Sequence, residues 1–100
     1  MTPFPAKTPT EDKVLTFDFS KEVAVGTVLT APVVAKSLGS GTDIGVSLTL
    51  GLPTVSALTV LVLASAGLDG NVYDLTCTVN GASSEVHQIL ASMLVSVNAA

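Results

Sequence analysis

The chain has 100 residues, enough for one domain with its own core; 48% are hydrophobic and only 12% charged, against roughly 25% charged in an average soluble domain. Four lysines, no arginine and a net charge of −4 leave nothing to neutralise phosphates, which argues against binding nucleic acid or an anionic membrane surface. A surface so short of Lys, Glu, Arg and Asp suits a free monomer poorly and predicts that much of it faces other protein.

Charge is also unevenly placed. Residues 1–36 hold every lysine (Lys7, Lys13, Lys21, Lys36) and balance them with Glu11, Asp12, Asp18 and Glu22, so Asp43, Asp69, Asp74 and Glu85 supply the whole net charge. Residues 1–12 carry Pro3, Pro5 and Pro9 among threonines. Proline fixes φ and removes a donor, so this segment reads as an extended arm in front of a single domain over 13–100. A solvated tail fits the same residues. If the segment is an arm, Phe4, Pro5 and Lys7 are its candidate interface with a neighbouring protein, Phe4 being the apolar hook. Met1 to Lys7 has no apolar signal-peptide core, so no export signal is expected.

Alternation then begins. Leu15, Phe17 and Phe19 share one face against Thr16 and Asp18, the period of a half-buried strand. Thr27–Ala35 is rich in β-formers, with Pro32 predicting an edge, a bulge or a break. Leu38–Gly41 reads as a loop. Val46, Leu48 and Leu50 alternate with Ser47 and Thr49 as a second strand, Gly51-Leu-Pro53 as a turn, Leu58–Leu63 as another strand and Ala66–Asn71 as a long turn. Ile44–Leu68 is uncharged over 25 residues, long enough to cross a bilayer. Gly45, Gly51, Pro53 and Gly67 interrupt it and no basic residue follows to anchor it, so no membrane span is expected.

The clearest strand places Tyr73, Leu75, Cys77 and Val79 inward and Asp74, Thr76 and Thr78 outward. After it two templates compete. Val86, Ile89, Leu90, Met93, Leu94 and Val97 fit a helix, whereas Ile89, Ala91, Met93, Val95 and Val97 fit the inward face of a strand. Asn80-Gly81 directly after a strand favours a hairpin with a type I′ turn, and so a final strand. The expected fold is an all-β, immunoglobulin-like antiparallel β-sandwich of six to seven strands, with Leu15, Phe17, Phe19, Tyr73, Leu75, Cys77 and Val79 as structural core. Tyr73, near the start of the penultimate strand, stands where a tyrosine corner is expected.

Few residues are equipped for chemistry. His87 is the single histidine, and no nucleophile-elbow sequence accompanies it. Cys77 alternates with apolar residues and reads as an inert buried thiol. Asp69-Gly-Asn71 offers too few oxygens for calcium, and Gly39-Ser-Gly41 lacks the lysine and helix of a phosphate loop. No catalytic residue, metal ligand or cofactor site is expected.

Three stretches carry a resemblance: Phe4-Pro-Ala-Lys7 leading to Val14–Ser20, then Gly70–Val79, then Glu85–Val97. Together the chain resembles the small immunoglobulin-like fiber–tail adaptor proteins of tailed bacteriophages. The resemblance implies a structural virion protein, made in the bacterial host cytoplasm, without cofactor or enzymatic activity. It would join tail or neck components to fibers through contacts with other phage structural proteins and copies of itself. A capsid decoration protein clamping coat subunits would use the same sandwich and arm.

Overall fold

The computed structural model describes residues 2–4, 6–24, 26–81 and 85–97, and every regular element among them is a strand. In chain order these are β1 (Thr2–Pro3), β2 (Lys13–Asp18), β3 (Thr30–Ser40), β4 (Leu48–Leu50), β5 (Thr54–Ser56), β6 (Thr59–Ala66), β7 (Asn71–Asn80) and β8 (Val86–Val95). They build two sheets, ordered β1-β8-β7-β3 and β2-β6-β4, with β5 also paired to β6. All pairs are antiparallel except β1 with β8. The architecture is a β-sandwich.

Alternation decides what fills the space between the sheets. Leu15 and Phe17 of β2, Phe19 just beyond it, and Val60, Val62 and Ala64 of β6 meet Tyr73, Leu75, Cys77 and Val79 of β7 and Ala91, Met93 and Val95 of β8. Each of the valine, leucine, phenylalanine and methionine side chains among them contributes about 1.5–3 kcal/mol on leaving water. The final segment is a strand because only a strand satisfies both its backbone and its core face. It pairs with β7 from Asn80↔Val86 to Asn71↔Val95. Val86, Leu90 and Leu94, which a helix would have buried, are 63%, 47% and 42% exposed.

Several local expectations are corrected. The hairpin between β7 and β8 does not use a two-residue type I′ turn: Gly81 N–H donates to the Glu85 carbonyl, 2.7 Å, across a longer loop, and neither Asn80 nor Gly81 has positive φ. Ten paired residues fix this register, so the turn need not. Val97 is 62% exposed rather than inward, because the strand ends at Val95 and the Val97 N–H is taken by Asp69 Oδ1, 2.8 Å. Residues 38–40 continue β3 instead of forming a loop, with Leu38 opposite Tyr73 and Ser40 opposite Val72 around a register shift. Gly39 permits this: a Cβ there would lie 2.6 Å from Asp74 Oδ1. Pro32 falls in a second shift of β3, between Thr30 and Val33, on the strand at the sheet edge.

Gly51-Leu-Pro53 is a bulge, not a turn. Leu50 lies opposite Ala64 and Thr54 opposite Leu61, so residues 51–53 face only residues 62–63 and β4 and β5 form one interrupted edge along β6. The chain reverses later, at Ala57-Leu58, where Ser56 pairs with Thr59 and Ala57 takes φ +52°. Val46 lies before β4 with φ +50°, its N–H donating to the Asp43 carbonyl, 3.0 Å, so the alternating run starts one pair later than its pattern suggests.

The N-terminal segment is bound to its own domain. Phe4 N–H donates to the Ser92 carbonyl (2.7 Å), Lys7 N–H to the Leu94 carbonyl (3.0 Å), and Ser96 N–H to the Lys7 carbonyl (2.9 Å). The hook lands inside: the Phe4 ring stands edge-on to Phe17, centroids 5.1 Å apart at 86°. Lys7 is fully buried. Pro5 lies outside the described residues. Phe4 and Lys7 thus pack against their own domain, with the segment hydrogen-bonded along β8.

Candidate interaction surface

One end of the sandwich is locked by polar side chains that hold loops in place. Tyr73 is fully buried, and its hydroxyl accepts from Leu68 N–H (2.8 Å) and donates to Asp43 Oδ2 (2.6 Å). Asp43 Oδ2 also accepts from Ser47 N–H and Oγ, both at 2.7 Å. The Tyr73 hydroxyl first, then Ser47, hold the Asp43 carboxyl below the usual carboxylate range. Burial first, then Asp43, push the Tyr73 hydroxyl above its ordinary value. Beside them Asn71 is 1% exposed and saturated: Oδ1 accepts from Thr42 and Asp43 N–H, while Nδ2 donates to the Leu68 and Asp69 carbonyls. Sequence reading missed Asn71, although its place on the inward face two residues before Tyr73 was visible. An inward polar residue at a strand start signals a loop that must be tied down.

The residues considered for chemistry lie apart from one another. Cys77 is buried between Val34 on β3 and Ile89 on β8, and loss of solvent raises its thiol to about 11. His87, opposite Val79, has Glu85 Oε1 at 3.7 Å, beyond hydrogen-bond length, and its buried Nε2 has no hydrogen-bond partner among the described residues. Asp69 and Asp74 sit apart in the register, the first bonded to Val97 N–H and the second beside Gly39. Among the described residues no group of three or more His, Cys, Asp or Glu side chains is placed to hold a metal ion. No helix of the described residues is long and apolar enough to cross a membrane.

What remains is surface. Three of the four lysines turn back on the main chain: Lys7 Nζ donates to the Thr8 carbonyl (2.6 Å), Lys13 Nζ to the Ala6 carbonyl (2.9 Å), and Lys36 Nζ to the carbonyls of Val46 and Leu48. Burial lowers the affinity of Lys7 for its proton, against the pull of Glu11 and Asp12. The outer sheet faces are correspondingly bland. On one, Val86, Leu90 and Leu94 of β8 lie beside the threonines of β7, with Asp74 the charged residue among the outward positions of β3, β7 and β8. On the other, Val14 and Leu63 are paired, 63% and 44% exposed, among Thr16, Thr59 and Ser65, with Asp18 the charged residue at the end of β2. Leu52, at the bulge, is 91% exposed.

At the side where β2 ends one sheet and β1, beside β8, ends the other, a half-open cavity of about 280 Å³ enters the sandwich. Phe4, Phe17, Ile89 and Ala91 form its apolar floor, and Asp18, Lys21 and Glu22 stand around it.

No family model matches this chain, and no curated protein is significantly similar to it in sequence.

Proposed function

We propose that this protein is a structural component of a bacteriophage virion, an adaptor joining tail or neck components to fibers by protein–protein contacts. The observation that carries the reading is the surface. Both outer sheet faces are built mainly of hydroxyl and aliphatic side chains, with Asp74 on one and Asp18 on the other, and three lysines direct their ammonium groups onto main-chain carbonyls. Such a surface is poorly hydrated as a monomer and well matched to burial against other protein.

Two features favour an immunoglobulin-like version of the sandwich. The groupings β3-β7-β8 and β2-β6-β4 reproduce the C-F-G and B-E-D sheets of that fold, and Tyr73 reaches back to the backbone of Leu68 as a tyrosine corner does. Both agree with the resemblance to fiber–tail adaptors. The contact surface then consists of the sheet faces and edges rather than Phe4 and Lys7, which are used internally.

The test is quantitative mass spectrometry of purified particles. The adaptor reading expects the chain in the particle at low, tail-like copy number. A copy number comparable to the coat protein would move the assignment to a capsid decoration protein, and absence from particles would reject both.

A further inference from the structure

We propose that two copies of this chain associate through β2, pairing antiparallel across a two-fold axis at Thr16 to join two four-stranded sheets into one. This deepens the assembly reading above, on which it rests for its biological use.

Edge strands are templates for other strands unless something blunts them. Three of the edges are blunted. β3 carries Pro32 and two register shifts. The β4–β5 edge is broken by the bulge at Pro53, and Lys36 Nζ caps the carbonyls of Val46 and Leu48 beside it. β1 is two residues long and ends in proline. β2 has none of these devices. Its six residues pair with β6 without a break, from Lys13↔Ala64 to Asp18↔Thr59.

The free groups on that edge follow from the register. Phe19 N–H donates to the Leu58 carbonyl, so the odd positions of the strand face β6. The N–H and C=O of Val14, Thr16 and Asp18 therefore point away from it, towards a side where no described strand lies. A second observation falls at the same place: the apolar cavity between the sheets opens beside Thr16, Phe17 and Asp18. A strand added to β2 shields its mouth.

The sequence of β2 fits itself as occupant. With Thr16 on the axis, Thr16 meets its equivalent, a favourable cross-strand pair, the apolar Leu15 lies opposite the second copy's apolar Phe17, and Val14 lies opposite Asp18. No like charges face each other. A shift that centres Leu15 would set Asp12 against Asp18, and one that centres Phe17 would set Lys13 against Lys21. The resulting interface is isologous and closes at two copies.

Three variants of the full chain test this by sedimentation at graded concentration and by non-reducing gel electrophoresis. Wild type should sediment as a concentration-dependent dimer. Thr16→Lys brings two ammonium groups together on the axis and should weaken dimerisation about tenfold or more, with an unchanged circular dichroism spectrum. Thr16→Cys should form a disulfide-linked dimer on mild oxidation, because residues facing each other in a hydrogen-bonded pair lie about 5.5 Å apart at Cα. Val14→Cys, displaced from the axis, should not. A wild-type monomer at millimolar concentration, undiminished dimerisation of folded Thr16→Lys, or equal crosslinking of the two cysteine variants would each overturn the proposal. Failure here concerns only the β2 contact. The virion reading fails separately, in the particle measurement.

Discussion

Replacing Tyr73 separates the two jobs that one side chain performs. Its ring is fully buried between the sheets, and its hydroxyl joins the Leu68 backbone to Asp43. In Tyr73→Phe the ring stays and the hydroxyl goes. Asp43 keeps its two bonds from Ser47, but the Leu68 N–H loses its acceptor in a partly buried site. The cost of one such orphaned donor is about 1–2 kcal/mol. In Tyr73→Ala the core also loses an aromatic ring, worth about 3–5 kcal/mol more. The total then approaches the whole stability of a small domain, about 5–15 kcal/mol. Urea titrations of wild type and both variants, followed by far-ultraviolet circular dichroism with slopes compared, measure these differences directly. A loss below about 0.5 kcal/mol in Tyr73→Phe would refute the hydrogen-bonded corner. A loss below about 1 kcal/mol in Tyr73→Ala would refute the placement of the ring in the core.

Three further outcomes are expected. Ala57→Gly should stabilise the protein by about 0.5–1 kcal/mol, because the exposed Ala57 holds φ +52° at the first position of a two-residue hairpin turn, where glycine is preferred; a lower melting temperature would contradict the turn. Cys77 should resist a thiol reagent in native protein and react only on unfolding, since it is buried with its thiol raised to about 11; stoichiometric labelling within seconds at neutral pH would count against it. Stability should fall at both pH extremes. The folded Asp43 carboxyl is depressed, so its contribution is complete above the ordinary range near about 4 and is lost as pH falls through the folded value. The folded Tyr73 hydroxyl is raised, so its contribution is complete below about 10 and is lost as pH rises through the folded value. Asp43→Asn should make the acid limb shallower in thermal melts taken from pH 2 to 7, and an unchanged limb would sink this account.

Sequence alone determined which residues go inside. The period of two in Leu15-Thr-Phe-Asp-Phe19 and in Tyr73–Val79 admits one core face, and all seven residues on it are buried. It also determined the poverty of charge from which the surface argument starts. Tertiary structure decided the rest, because those features depend on partners distant in the chain. The apolar pattern of residues 86–97 satisfies helix and strand templates alike; Asn80-Gly81 favoured the strand through a turn the protein does not use, and it is the β7 ladder that makes Val86–Val95 a strand. Leu38–Gly41 carries loop residues, yet Leu38 finds Tyr73 opposite and Gly39 lets the backbone pass Asp74. The prolines of the N-terminal segment state that it is extended, not where it docks; the open edge of β8 decides that, and it takes Phe4 onto Phe17. Asn71 shows the limit most directly: its side chain bonds loops 28 and 29 residues away, and no local pattern contains that distance.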